Sequence, residues 1–527
     1  MYDRKLPRLV SALVLTASLL AGCGVLPGGE EKDQTIVVGT TSAPSVLDPA
    51  GAWDGSWELF RNVYQTLLHF PNSSSAPEPD AARRCGFSDS ASRVFRCTLR
   101  SGLEFSNGNP LDARAVKYSL ERVRRIKAET GPAPLLEGVE RIDTPDAHTV
   151  VFHLERSDAT FPFVLATPAT ALVDPESYPA GELREGDGIT GSGPYTLESY
   201  ADGSEARLTG NTRYQGPADR RNSRVTIRYF EDSGSMVEAL EAAEIDVIYR
   251  GLTPRQITRF EESAARGEDK INLNEMAGTE IRYLVFNARH EPVGNPAVRR
   301  AIAQLIDRAA LVRKVYAGTA EPLYSMVPAR ITGHTNAFYD RYGEPSRRKA
   351  QTILRNAGIE EKVSLTLWYA TDRYGATAKR EFQEIERQLE DSGLFDVALV
   401  GRTWKKFQAG YAKGEYPVFG RGWFPDFPDA DNYIAPFVGR HNVLGTPYEN
   451  DAITKDLLPR SRQESDRGVA SRVFARTQQL LAEDTRLLPL WQGRVYVASQ
   501  REIAGVERCL DPSMIMQVWE LHRKASW

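Results

Sequence analysis

The sequence predicts a mixed α/β protein built as two lobes, on three observations. From Thr35 onward, short β-branched or aromatic runs alternate with amphipathic helical stretches, the pattern of strands packed under helices. At 527 residues the chain is longer than one hydrophobic core usually supports, so two or three compact units are expected. Hydrophobic residues make up 41% of it, too large a share for disorder to explain the length.

The first segment is a leader, not part of the fold. Arg4, Lys5 and Arg8 precede an apolar stretch at residues 9–20 that is too short to cross a bilayer, which reads as a signal peptide over residues 1–22. Leu20-Ala21-Gly22-Cys23 resembles a lipobox. That resemblance implies cleavage before Cys23, lipidation of its sulfur and anchoring to the outer side of a bacterial cell membrane. Residues 23–33, rich in Gly and charge, read as a flexible tether.

Residues 35–38 form the first strand, and Trp57, Phe60, Tyr64, Leu67 and Leu68 fall on one face of a helix. Cys85 and Cys97 flank a polar turn followed by a strand-like run, so a hairpin brings them within reach of a disulfide. Cys509 is left over and reads as a small buried apolar residue. Asp112 caps a helix with Val116, Leu120 and Val123 inward, and residues 149–154 return as a strand. Strand 225–230, helix 236–243 and strand 246–249 make a βαβ unit. A second series begins with strand 281–287 and a helix opened by Asn295-Pro296, whose Val298, Ile302, Leu305 and Ile306 face inward. Helix 346–356, strand 363–369, helix 378–389, strand 397–400, helix 469–481 and strand 494–498 complete it.

Charge and motifs exclude several classes. Lys and Arg number 66 against 70 Asp and Glu, interleaved throughout, so no basic stripe suited to nucleic acid is present. No His-Glu-x-x-His, Gly-x-Ser-x-Gly, phosphate-loop, dinucleotide-fingerprint or Cys-x-x-Cys pattern occurs, and the seven histidines include no pair at i, i+4. Neither a catalytic constellation nor a cofactor or metal site is expected, and Gly191-Ser192-Gly193-Pro194 reads as a turn.

Three segments together resemble the extracellular solute-binding proteins of the dipeptide, oligopeptide and nickel group, family 5, which serve ABC importers. They are residues 105–122, beginning Phe105-Ser106-Asn107-Gly108-Asn109-Pro110-Leu111; Gly191-Ser192-Gly193-Pro194-Tyr195; and residues 287–308, with Val298-Arg299-Arg300-Ala301 and Ile306-Asp307-Arg308. The resemblance implies a periplasmic-binding-protein-like clamp of type II, cluster C, closing around its ligand. Lobe I would comprise residues 34–66, 188–282 and 492–527, with a small domain inserted at 67–187. Lobe II would span 283–491, and the crossovers would fall near 283–286 and 488–491.

Residues 422–433, Gly-Trp-Phe-Pro-Asp-Phe-Pro-Asp-Ala-Asp-Asn-Tyr, resemble the family's ligand-contacting stretch. The resemblance implies that Asp426 pairs with the α-amine of a bound peptide, with Trp423 and Phe424 beside it. Pro425 and Ala430 depart from the family pattern. Tyr283 and Asn287, at the first crossover, are expected to face the cleft, and Arg373, after a strand of the second lobe, reads either as a partner for a ligand carboxylate or as a surface arginine. Trp53 and Trp57 read equally as packing residues. A calcium site from Asp426, Asp429 and Asp431 is the rival, disfavoured by the aromatic and proline content of the loop. The implied function is capture of short peptides by a monomer for an ABC permease and its ATPase subunits. The alternatives are an oligosaccharide binder, a nickel or metal-chelate binder, or a secreted hydrolase.

Overall fold

The computed structural model describes residues 35–524 except 73, 269 and 376. The leader at 1–22, Cys23 and the tether at 23–33 lie outside the described residues. An eleven-stranded sheet runs through the molecule. In chain order its strands are Ile36–Thr40 (β1), Tyr195–Ala201 (β2), Glu205–Gly210 (β3), Arg224–Tyr229 (β4), Val247–Tyr249 (β5), Ile271–Phe286 (β6), Ala320–Pro322 (β7), Val363–Ala370 (β8), Phe395–Arg402 (β9), Val418–Trp423 (β10) and Leu487–Gln500 (β11). Their spatial order is β9-β8-β10-β6-β11-β5-β1-β4-β3-β2, with β7 against β11.

The long antiparallel pair β6 and β11 divides this sheet. Through Val497–Ser499 β11 pairs with β5, and through Ile281–Phe286 β6 pairs with β10. Between them the β6–β11 register breaks at 277/281, so the passage between the halves falls at residues 278–280. Residues 283–286, expected at the crossover, already lie inside the second half. The sequence reading saw only part of each strand, because Asn272, Asn274, Pro489 and Gly493 are poor strand residues.

Alternation along β6 sorts its side chains onto two cores. Leu284 and Phe286 pack with Ile302, Leu311 and Phe382, whereas Ile281, Tyr283 and Val285 pack with Phe419, Tyr433, Phe437 and Phe474. In the other half, Ile36, Phe60, Tyr195, Val225 and Trp519 cluster on one face and Met236, Leu240, Ile248 and Phe260 on the other. The expected βαβ unit forms with helix Ser233–Glu241 crossing over β1, which pairs in parallel with both β4 and β5.

A separate four-stranded antiparallel sheet, Ala82–Phe87, Val94–Leu99, Thr149–Leu154 and Val139–Asp146 in spatial order, packs on helix Ala113–Ile126. Cys85 and Cys97 face each other across it and are disulfide-bonded. Cys509 is fully buried. Asp112 caps the helix by accepting from Arg114 N and Ala115 N at 2.9 and 3.0 Å.

Helix Trp57–Val63 is shorter than the apolar pattern predicts, with Leu68 already in a strand. Its end is fixed by the glycine turn: Gly193 N donates to Val63 O at 3.0 Å. A Cβ at Gly191 would overlap that same carbonyl, which is why residues without side chains stand there.

Candidate functional site

Strand β10 carries the expected ligand segment to the seam between the sheet halves. It ends at Trp423, and after a turn Asp429 caps the short 3-10 helix Ala430–Tyr433 by accepting from Asp431 N at 2.8 Å. Arg467 holds the Asp429 carboxylate at 2.7 and 2.8 Å, and Arg462 holds Asp431 at 2.9 Å to each oxygen. Two of the three carboxylates of the calcium alternative are therefore taken by guanidinium groups.

Asp426 is placed differently. It is 8% exposed and forms no ion pair among the described residues. Its backbone N–H donates to Asn432 Oδ1 at 2.9 Å, and Asn432 Nδ2 returns a bond to Asp426 Oδ2 at 2.9 Å. Trp53 Nε1, from the other half of the molecule, donates to Asp426 Oδ1 at 2.8 Å. Burial pushes the Asp426 carboxyl up to about 6, although the bonds from Asn432 and Trp53 pull the other way. The result is a buried carboxylate with two neutral donors and no cation, an arrangement that gains from an ammonium group.

Trp423 is half-buried, donates to Asn432 Oδ1 at 3.2 Å and sets its ring edge-on to Phe437 at 5.0 Å. Phe424 is 46% exposed and Trp53 37% exposed. Tyr433 OH bonds to Thr279 O at 2.9 Å, tying the loop to the passage between the halves. The four-stranded sheet region reaches the loop and the helix at Leu458–Gln463. Phe163 packs 6.0 Å from Phe427, Ala159 N donates to Arg462 O at 2.7 Å, and Ser92 Oγ donates to Gln463 O at 3.0 Å.

A row of charges couples Arg250, Glu280 and Arg282. Arg250 Nε bonds to Glu58 at 2.8 Å, and Arg282 Nη2 to Glu381 at 3.3 Å. Between them stands the partly buried Glu280, its carboxyl pushed up by burial and pulled down by Arg282, Arg250 and Arg373. Arg373 is exposed on the turn after β8, its guanidinium 5.3 Å from the Trp404 ring centroid.

Two of the expected residues are buried. Asn287 is 1% exposed and bonds to Gly414 O at 3.0 Å. Because β6 and β10 run antiparallel with Ile281 opposite Trp423, Asn287 lies a whole strand length from that tryptophan, roughly 20 Å. Tyr283 is fully buried against Phe437 at 5.2 Å, and in the β6–β10 ladder it stands opposite Arg421, two residues from the pair Ile281 and Trp423. Conversely, sequence reasoning missed Asn432, which closes the Asp426 loop, and Arg421. The second had a signal: a lone charge in the apolar run Val418-Phe419-Gly420-Arg421-Gly422-Trp423.

Residues 76–444 match the family described as bacterial extracellular solute-binding proteins, family 5 Middle. Among curated proteins the chain is 26% identical over 514 residues to a probable D,D-dipeptide-binding periplasmic protein, DdpA, of Escherichia coli K12, covering 94% of each. It is 24% identical to the glutathione-binding protein GsiB of Escherichia coli O157:H7, again covering 94% of each. Among solved structures, DppA from Helicobacter pylori in complex with the peptide STSA superposes with a TM-score of 0.75 at 21% identity, over 93% of this chain and 98% of that one. A dipeptide-binding protein from Pseudoalteromonas sp. SM9913 in complex with Met-Leu gives 0.76 at 18%, over 93% and 100%.

Proposed function

The chain belongs to the bacterial extracellular solute-binding proteins of family 5, and we propose that it captures short peptides between its two lobes and delivers them to an ABC permease. Members of this family are transport receptors acting outside the cytoplasm, not enzymes. The observation that carries the peptide reading is Asp426, a buried carboxylate without a cation, held from both halves of the molecule by Asn432 and Trp53. The relatives named for dipeptides and for glutathione support it.

In this reading the ligand ammonium supplies the charge that Asp426 lacks. A carboxylate offers about four lone-pair sites, and Trp53 and Asn432 occupy two of them. Trp423 and Phe424 give an apolar wall that accepts varied side chains. Residues 67–187 act as an inserted subdomain of the first lobe, residues 283–491 form the second, and closure swings the lobes about 278–280 and the facing stretch of β11. Cys23 carries the lipid anchor, and the receptor works as a monomer.

Native mass spectrometry of residues 24–527, followed by release and identification of bound small molecules, tests the reading. A heterogeneous set of short peptides is the expected result. A single defined oligosaccharide or a metal chelate would overturn it.

A further inference from the structure

Buried donors without partners stand on neighbouring rungs in the second lobe. Arg282 Nη1, Tyr283 Oη and Arg421 Nε and Nη1 have no hydrogen-bond partner among the described residues. They occupy two successive rungs of the β6–β10 ladder: Tyr283 stands opposite Arg421 on one face of the sheet, and Arg282, opposite Gly422, projects from the other. Arg282 keeps Glu381 as its counter-ion at 3.3 Å. Arg421 is 8% exposed, yet no carboxylate among the described residues pairs with it.

The surroundings of Arg421 are aromatic. Its guanidinium lies 4.6 Å from the Tyr411 ring centroid and 5.5 Å from that of Trp404. Arg373 stands on the same indole at 5.3 Å, so two guanidinium groups share one ring. An arginine does not shed its proton to escape burial. Stacking on an aromatic face returns only about 2 kcal/mol of a desolvation cost of several. The missing element is an anion, and Tyr283 adds a free hydroxyl donor directly across the ladder.

Position says where that anion comes from. Arg421 and Trp423 project from the same face of β10, two residues or about 6–7 Å apart, and Asp426 follows within the same loop. Helix Trp404–Ala412 covers Arg421 through Trp404 and Tyr411. A group that reaches Arg421 must therefore project from the ligand backbone into the lobe, as a side chain does. We propose that Arg421, with Tyr283 across the ladder and Arg373 on the shared indole, receives a carboxylate side chain of the bound peptide, so that peptides with an acidic residue are the preferred cargo. This rests on the peptide reading and on Asp426 holding the amine.

The test is a matched series of tripeptides measured by isothermal titration on the chain from residue 24. Glu is placed at each position of an alanine tripeptide and compared with Gln at that position. The wild-type protein is expected to favour Glu over Gln by about tenfold or more at one position, the usual gain of a charge-assisted bond over a neutral one. In Arg421→Met that ratio falls to about one, and in Tyr283→Phe it falls part of the way. The wild-type ratio decides even where a variant folds poorly.

A ratio near one at every position, with the Gln peptides bound, overturns the proposal and leaves the peptide reading standing. A Glu preference that persists in Arg421→Met overturns the assignment to this residue. If amidating the peptide C-terminus costs affinity in the wild type and nothing in Arg421→Met, while Glu and Gln bind alike, Arg421 takes the terminal carboxylate and the side-chain proposal fails. Failure of every peptide to bind removes the peptide reading itself, and this proposal with it.

Discussion

Trp53 donates its indole N–H to Asp426 Oδ1 at 2.8 Å, joining residues 373 positions apart in the chain. The bond runs between the two halves of the molecule, and its acceptor is the carboxylate proposed above to meet a ligand amine. Trp53 remains 37% exposed while making it. The polar bond is the specific contact between Trp53 and Asp426.

Trp53→Phe keeps a ring and removes the donor. A hydrogen bond to a charged group is worth about 1.5–3 kcal/mol, so peptide affinity at neutral pH should fall about tenfold or more in a titration of variant against wild type. An unchanged affinity would mean that the bond is not retained when ligand is bound.

The carboxyl of Asp426 is pushed up to about 6 by burial, and the sign of two pH effects follows. A ligand ammonium needs the ionised form, so affinity should be steady near pH 7 and fall about tenfold per unit well below pH 6. In the ligand-free protein the folded state holds the Asp426 proton more tightly than the unfolded chain does. This group therefore favours folding at low pH and loses that contribution as pH rises from about 4 through about 6. Asp426→Asn should accordingly be more stable than wild type at pH 7, by about 1–3 kcal/mol, with the gap closing in acid. Thermal melts of both proteins across pH 4–8 check it; a gap that does not change with pH would contradict the assignment.

Truncation separates binding from folding. Asp426→Ala removes the only carboxylate proposed for the amine, and losing one member of a buried ion pair costs about 3–5 kcal/mol. Peptide binding should drop more than a hundredfold with the far-UV spectrum unchanged.

The strands and helices that pack one apolar face were legible because their period is local. Val116, Leu120 and Val123 lie inward as expected, and Asp112 and Asn295 cap the helices they were read to cap. The errors lie where tertiary contact overrides a local pattern. Leu67 and Leu68 continue the helical spacing of Trp57, Phe60 and Tyr64, but the chain leaves the helix once the glycine turn claims Val63 O. Asn287 and Tyr283 were placed by their nearness to a crossover. The β6–β11 register break lies a few residues earlier, at 277/281, and side-chain pattern does not reveal it. Trp53 stood open between packing and cleft, since a partner 373 residues away leaves no periodic trace.

The glycine turn gives a stability test. A Cβ at Gly193 would lie 2.5 Å from Val63 C and 2.6 Å from Tyr64 N, both rigid backbone atoms. Gly193→Ala must therefore displace the end of helix Trp57–Val63, with a cost of about 2–4 kcal/mol by analogy with overpacking and backbone strain. Denaturant unfolding should show a lowered midpoint, and a variant as stable as wild type would mean that the turn moves freely.

Glu381 anchors the second lobe's side of the row of charges. It is 1% exposed and accepts from Arg282 at 3.3 Å, Tyr316 OH at 2.9 Å and Trp491 Nε1 at 3.1 Å. Arg282 also stacks on Tyr374 with its guanidinium 3.5 Å from the ring centroid. Glu381→Leu strands the Arg282 charge in the core and should cost about 3–5 kcal/mol. The double variant Arg282→Met with Glu381→Leu removes both charges and leaves apolar volume in their place. It should recover most of that loss, because a buried pair and a hydrophobic replacement are often close in energy. Denaturant midpoints of the single and double variants measure the coupling. A double variant no more stable than the single would show that Arg282 is held by Tyr374 and its neighbours, and that Glu381 serves Tyr316 and Trp491 instead.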